Sequence, residues 1–141
     1  MSFSEDDMKQ LRSWGFNGIR LAVMWTGVEP NEGNYSQEYL TKMKDIVNLA
    51  GQYGIHSLIE FHQDILSEKF CGDGVPVWAF KNSQTSTFPI PISLKRIKYN
   101  STTGMPDFKD CDTDHWGRYY FSFDVSYGFE DLYNNRFGLL D

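Results

Sequence analysis

The first part of the chain carries apolar residues at helical spacing and then in a continuous run. Ser4 can cap a helix in which Met8 and Leu11 follow at helical spacing, with acidic residues in the first turn. Residues 18–25 then form an apolar run that Arg20 alone interrupts. A run that is apolar on both faces is typical of a strand buried in a parallel sheet. The pattern therefore predicts a helix followed by a buried strand.

A second helix and a second strand follow in the same order. Residues 36–53 carry an apolar stripe at three- and four-residue steps, formed by Tyr39, Leu40, Met43, Ile46, Val47, Ala50 and Tyr53. Residues 55–61 are again strand-like and lead into His62. This alternation with short connections predicts a βαβ unit of the α/β class. Two such strands have unpaired edges, so we expect the rest of the sheet to lie outside residues 1–141.

The second half of the chain has a different pattern. Residues 66–124 show little periodicity, and glycines and prolines mark turns within them. So long a stretch between regular elements is usually functional or disordered. We therefore divide the chain into a βαβ segment (1–65), a long loop (66–124) and the start of a further helix (125–141). We expect the loop to lie on the same side of the sheet as the active site.

Composition and charge exclude several classes of function. Hydrophobic residues make up 40% of the 141 residues and charged residues 23%, which is typical of a globular protein. The net charge is -6 and there is no long Lys/Arg-rich run, so we do not expect nucleic-acid binding. No apolar run approaches the roughly 18 residues of a membrane span, and the first residues do not resemble a signal peptide. Aromatic residues reach 16%, which suits stacking on sugar rings but more often reflects core packing.

The two cysteines and two sequence triplets indicate the cellular compartment in which the protein is found. Cys71 and Cys111 do not form a CxxC pair, so a zinc or redox site is not expected. Asn34 and Asn100 each begin a triplet of the N-glycosylation acceptor pattern. Together these features favour a secreted protein or one of the lysosomal and endomembrane system, where the two cysteines could form a disulfide.

Four polar residues are candidates for a site at the carboxyl ends of the two strands. Because side chains alternate along a strand, Glu60 and His62 share one face of the second strand, Asp64 continues it, and Arg20 lies on one face of the first. Arg20 and Glu60 could form a structural ion pair, and His62 could be a core histidine. His62 with Asp64 lacks a third metal ligand, so we expect neither a metal nor another cofactor.

Several runs together resemble a known family. They are the residues at 15–21, 29–30, 61–64 (Phe-His-Gln-Asp), 72–79 (Gly-Asp-Gly-Val-Pro-Val-Trp-Ala) and 129–135. In combination they resemble family 5 of the glycoside hydrolases, and within it the endoglycoceramidases, which release the intact glycan from glycosphingolipids. The resemblance covers nearly the whole chain, although residues 85–120 match loosely.

The resemblance implies a partial (β/α)8 TIM barrel, with about strands 2 and 3, their helices and a long following loop. The remainder of the same barrel would then be the partner of this chain. It also implies retaining chemistry with two glutamates, one as acid/base and one as nucleophile, at the ends of the fourth and seventh strands. Neither the fourth nor the seventh strand lies within residues 1–141. The family's acid/base stands in an Asn-Glu-Pro run, whereas Asn31-Glu32 is followed by Gly33. We therefore expect this chain alone to be inactive.

The resemblance also assigns substrate-binding roles. It implies that Arg20 supports the nucleophile region, that Glu60, His62 and Asp64 line a sugar subsite, and that Trp78 offers a stacking face. Glu60 departs from the family pattern, in which an aspartate is more usual, and Trp78 judged alone could be a core residue. Two other functions remain open: another family 5 β-glucosidase or glucanase, and a non-catalytic carbohydrate- or lipid-binding protein.

Overall fold

The computed structural model describes residues 3–80, 87–111, 116–136 and 138. Its regular elements are α1 (Glu5–Ser13), β1 (Gly18–Met24), α2 (Trp25–Val28), α3 (Gln37–Gln52), β2 (His56–His62) and α4 (Phe123–Tyr133). The predicted order of helix, strand, helix and strand is confirmed. Each long element begins within three residues of its predicted start. Across the described residues, no helix has the length and apolar composition needed to cross a membrane.

Local hydrogen bonds explain where the first helices begin. The Ser4 hydroxyl accepts the backbone N–H of Asp7, and the Asp7 carboxylate accepts the backbone N–H of Ser4. This reciprocal pair is a capping box, and it satisfies backbone donors that the first turn leaves without partners. Ser36 caps α3 in a similar way by accepting the N–H of Tyr39. Both helix starts are therefore determined by short stretches of sequence.

The two strands are parallel neighbours in one sheet. Their register pairs Gly18 with His56 at one end and Met24 with His62 at the other. A small hydrophobic core of Met8, Ala50 and Ile55 packs the helices α1 and α3 against the two strands. The carboxyl ends of β1 and β2 therefore lie side by side, and their polar residues meet at the same edge of the sheet.

The region predicted as a structureless loop contains the larger hydrophobic core. The part of this region that the structure describes contains four 3₁₀ turns, at Glu68–Phe70, Val77–Phe80, Phe108–Asp110 and Trp116–Phe121. The core consists of Ile65, Leu66, Phe70, Val75, Ala79, Phe80, Phe88, Ile97, Tyr119 and Val125. Large aromatic side chains bury much area each, so this segment can pack well without regular periodicity. The division of the chain at residues 65 and 124 stays a prediction, and residues 1–2, 81–86, 112–115, 137 and 139–141 lie outside the described residues.

A disulfide closes this region. Cys71 and Cys111 are bonded, with their Cα atoms 5.8 Å apart and a separation of 40 residues along the chain. The sequence analysis had considered this disulfide between the two cysteines of the chain. The bond joins the turn after β2 to the segment before the last 3₁₀ turn.

Removing this bond is expected to destabilise the protein strongly. Closing a loop of about 41 residues reduces the entropy of the unfolded chain and is worth roughly 4 kcal/mol on the chain-entropy model. The double variant Cys71→Ser/Cys111→Ser should therefore lose about that much free energy of unfolding in a urea titration. Reductant should destabilise the parent protein and leave the double variant unchanged. Two reactive thiols in the unfolded, unreduced parent would contradict the bond.

Candidate functional site

An ion pair crosses the two strands near their carboxyl ends. The register places Ala22 opposite Glu60, so Arg20 and Glu60 lie on the same face of the sheet. Arg20 Nε is 3.1 Å from Glu60 Oε2, and the ion pair that the strand pattern predicted is present. The Arg20 side chain is 64% exposed, so solvent screens the pair and its contribution to stability is small. The pair joins the Glu60 carboxylate to the neighbouring strand.

His62 bridges two carboxylates. Its Nδ1 lies 3.1 Å from Glu60 Oε1, and its Nε2 lies 3.0 Å from Asp64 Oδ2. Both ring nitrogens donate hydrogen bonds only when the imidazole is protonated. The hydrogen bond with Glu60, followed by that with Asp64, raises the pKa of His62, and desolvation opposes the rise in part. With the imidazole protonated, Arg20, Glu60, His62 and Asp64 form a row of alternating charges.

The raised pKa predicts a pH-dependent stability. Because the pKa of folded His62 lies above its unfolded value of about 6.5, its stabilising contribution is complete below about pH 6.5. That contribution is lost as the pH rises through the folded pKa. We expect the melting temperature to fall over this window, and the fall to be smaller in His62→Gln. NMR titration of the His62 ring should give a midpoint above the unfolded value; a midpoint below it would exclude the bridged imidazolium.

Backbone contacts hold Asp64 just beyond the end of β2. The Asp64 N–H donates to Asp73 O at 3.1 Å, and the Asp73 N–H donates to Asp64 O at 2.7 Å. The Asp64 N–H also lies 3.1 Å from Asp73 Oδ1. Gly72 makes this approach possible, because a Cβ there would lie 2.0 Å from the Asp64 carbonyl oxygen. The glycines of the predicted family run at 72–79 thus serve to bring two backbone segments together.

Tyr120 is a member of the site that sequence reasoning missed. Its hydroxyl lies 3.4 Å from Asp64 Oδ1, and its ring stacks on Phe129 with centroids 6.1 Å apart. It is 56 residues from Asp64 in the chain and lies where the family resemblance is loose, so no sequence signal marked it. The hydrogen bond is long, and the Asp64 side chain remains 37% exposed. Asp64 can therefore still accept hydrogen bonds from a ligand.

Trp78 is placed differently from the other predicted residues. Its indole N–H donates to Glu29 O at 3.0 Å, and its ring meets Trp25 edge-on with centroids 5.4 Å apart. The Trp25 indole in turn donates to Glu29 Oε2 at 2.8 Å. These contacts anchor Trp78 on the loop after β1 rather than on Asp64. Trp78 also lines a cavity of about 640 Å³ together with residues 101–104, so its stacking role stays a prediction.

The residues considered as metal ligands lie close together in the structure. The expectation that His62 and Asp64 lack a third ligand-type neighbour was wrong, because ligand-type atoms of His62, Asp64 and Asp73 lie within 4.8 Å of one another. The hydrogen bonds described above already occupy these groups, so a metal ion would have to displace them.

Asn34 and Asn100, which begin the two N-glycosylation triplets, are both exposed, and the Asn100 side chain accepts two backbone N–H groups of its own turn. Their glycosylation stays a prediction.

Comparison with known proteins places this geometry in a family. The family model described as cellulase (glycosyl hydrolase family 5) matches residues 3–106. Over 140 residues the chain is 45% identical to an endoglycoceramidase of Cyanea nozakii and 39% identical to one of Hydra vulgaris. Each alignment covers 99% of this chain, but 28% and 27% of the relatives. The chain therefore spans about a quarter of the length of these curated relatives.

Solved structures show the same fold. Endo-glycoceramidase II from Rhodococcus sp., in complex with a five-membered iminocyclitol, superposes with a TM-score of 0.68 at 24% identity and covers 95% of this chain and 26% of that one. Cryptococcus neoformans sterylglucosidase 1 gives a TM-score of 0.64 at 19% identity, over 85% of this chain and 17% of that one. The predicted partial (β/α)8 barrel is thereby confirmed. With its family model matching most of its length, the chain belongs to glycosyl hydrolase family 5, and it is endoglycoceramidase-like within that family.

Proposed function

We propose that the complete polypeptide carrying this chain is a retaining endoglycoceramidase that releases the glycan from a glycosphingolipid. The observation that carries the proposal is the Glu60–His62–Asp64 row, which ends at an accessible carboxylate at the carboxyl edge of two parallel strands. Barrel enzymes build their active sites at this edge. The names of the Cyanea and Hydra relatives support the glycolipid substrate.

In this proposal residues 1–141 supply binding groups rather than the reacting glutamates. Asp64 accepts sugar hydroxyls, and His62 holds its carboxylate in place through the 3.0 Å contact with Oδ2. Arg20 and Glu60 hold the other side of the imidazole. The acid/base and the nucleophile come from other strands of the barrel. These residues alone therefore bind the glycan without hydrolysing it.

The test is the reaction of the complete polypeptide with a glycosphingolipid. We expect release of the intact glycan together with ceramide, and the new reducing end should first appear in the anomeric configuration of the substrate. A soluble β-glucan and a simple β-glucoside serve as comparison substrates, because the matched family model is described as cellulase. Faster hydrolysis of either would favour a glucanase or β-glucosidase. Binding without hydrolysis of any of the three would favour a non-catalytic binding protein.

The compartment belongs to the same proposal. We infer that the protein is secreted or belongs to the lysosomal and endomembrane system. The Cys71–Cys111 disulfide supports such an oxidising environment, since disulfides are rare in the cytosol. Mass spectrometry of the natural protein, with and without an N-glycosidase, tests this assignment at Asn34 and Asn100.

A further inference from the structure

A cavity opens beside Asn100, the residue that begins the second N-glycosylation triplet. It has a volume of about 610 Å³, within the range of roughly 300–1,000 Å³ for small-ligand sites. Asn100 itself lines this cavity, together with the apolar side chains of Met105 and Phe108 and the charged side chains of Lys98 and Asp107. The cavity therefore brings a candidate modification site together with both apolar and polar groups.

A short hairpin holds the walls of this cavity. Tyr99 and Pro106 form an antiparallel bridge, and the Asp107 N–H donates to Lys98 O at 2.8 Å. The Tyr99 side chain packs against the larger hydrophobic core, and its hydroxyl donates to Lys69 O at 2.6 Å. The hairpin is thus tied to the core by contacts that need no ligand, so the cavity has its shape before any sugar is attached.

The turn of this hairpin engages one end of the Asn100 side-chain amide. Asn100 Oδ1 accepts the backbone N–H groups of Thr102 at 2.8 Å and of Thr103 at 3.0 Å. Because only the oxygen of an amide accepts hydrogen bonds, these contacts identify which end of the side chain faces the turn. Within the described part of the chain, no hydrogen bond uses Asn100 Nδ2. That nitrogen is the atom to which an N-linked sugar is joined.

Phe108 presents an apolar surface that the described residues leave uncovered. It is 55% exposed, although it begins the 3₁₀ turn that leads to the disulfide. The carbon-bound hydrogens of a sugar ring and the methyl group of an acetamido sugar gain from packing on an aromatic ring. Lys98 and Asp107 in the same lining can donate to and accept from the polar groups of such a sugar. The lining therefore matches both sides of an N-acetylated sugar.

We propose that Asn100 carries an N-linked glycan whose first N-acetylglucosamine lies in this cavity and covers Phe108. The inference rests on the part of the proposed function that assigns the protein to the secretory system. The new bond joins Asn100 Nδ2 to the anomeric carbon of the sugar, while the bond from that carbon to the pyrophosphate of a lipid-linked oligosaccharide breaks. The lipid pyrophosphate leaves, and Nδ2 releases one of its two protons to the solvent.

The first experiment compares the complete polypeptide, secreted from a eukaryotic cell, with its Thr102→Ala variant. This change destroys the acceptor triplet but keeps the backbone N–H that Asn100 Oδ1 accepts. Peptide mass spectrometry should find a glycan on Asn100 in the parent protein and none in the variant. We expect the variant to melt about 1–3 °C below the parent, because covering one exposed ring is a modest gain in a large protein. Trimming the parent's glycan to its first sugar should leave the melting temperature unchanged.

The second experiment asks whether Phe108 is the surface that the sugar covers. In a Phe108→Ser background, adding Thr102→Ala should no longer lower the melting temperature, since the contact is already lost. Leu94→Ser is the matched control. Leu94 is 89% exposed and lies outside the lining of this cavity. In that background Thr102→Ala should lower the melting temperature by as much as it does in the parent.

The outcomes separate this inference from the proposed function. An unoccupied Asn100, a Thr102→Ala variant that melts with the parent, or an equal loss with and without Phe108 overturns the inference. Hydrolysis of a glycosphingolipid is measured on the same samples. If the lipid is hydrolysed while Asn100 is unoccupied, the proposed function stands and the inference fails. If no lipid is hydrolysed but the glycan stabilises the protein through Phe108, the inference stands and the proposed function fails.

Discussion

Replacing Asp64 with asparagine is expected to lower kcat/KM of the complete polypeptide on a glycosphingolipid about 100-fold. A carboxylate can accept two or more sugar hydroxyls, and hydrogen bonds to a charged group are worth about 1.5–3 kcal/mol each. Asparagine keeps the size of the side chain but removes the charge and one acceptor. A combined loss of about 2.7 kcal/mol corresponds to 100-fold in rate.

The melting temperature distinguishes binding from structure in this experiment. Asp64 is held mainly by backbone hydrogen bonds with Asp73, which the substitution leaves in place. We therefore expect Asp64→Asn to melt within a few degrees of the parent protein. Asp45→Asn, at an exposed position of α3, is the matched control and should change neither activity nor stability. An Asp64→Asn protein that melts early and keeps full activity per folded molecule would show that Asp64 is structural.

Replacing Gly72 with alanine is expected to destabilise the protein strongly. The added Cβ would lie 2.0 Å from the Asp64 carbonyl oxygen and 2.8 Å from Ile65 Cβ. The carbonyl belongs to the backbone, so relief requires that the whole turn move. Forced overpacking typically costs 1–3 kcal/mol and occasionally more; we expect about 3 kcal/mol or more here. Activity should fall as well, because the displaced backbone is that of Asp64.

A second glycine provides the control for this prediction. Gly51 lies in α3, and an added Cβ there would meet nothing within 4 Å. Alanine is favoured over glycine in a helix by roughly 0.5–1 kcal/mol, so Gly51→Ala should stabilise slightly. Urea unfolding of both variants beside the parent measures the contrast. Equal stabilities for Gly72→Ala and Gly51→Ala would refute the close approach at Asp64.

The sequence by itself determined the elements and the faces of the strands. Ser4 and Asp7 determine the start of α1, since a capping box needs residues of one turn alone. The alternation of side chains along a strand placed Glu60 and His62 on one face of β2, and Arg20 lies on the same face of the sheet in β1. These features depend on neighbours in the chain or on a regular period, so they can be predicted without coordinates.

The tertiary structure alone decided which distant residues complete the site. Tyr120 reaches Asp64 across 56 residues of chain, and Trp78 turns its indole to Glu29 instead. The described part of residues 65–125 lacks a regular period and nevertheless buries a core with several aromatic side chains. Such packing depends on shape and on contacts between remote positions, and no local pattern encodes it. The physical reason is that the regular repeat of a helix or strand determines the direction in which a side chain points. The residue that this side chain contacts depends instead on the path of the whole chain.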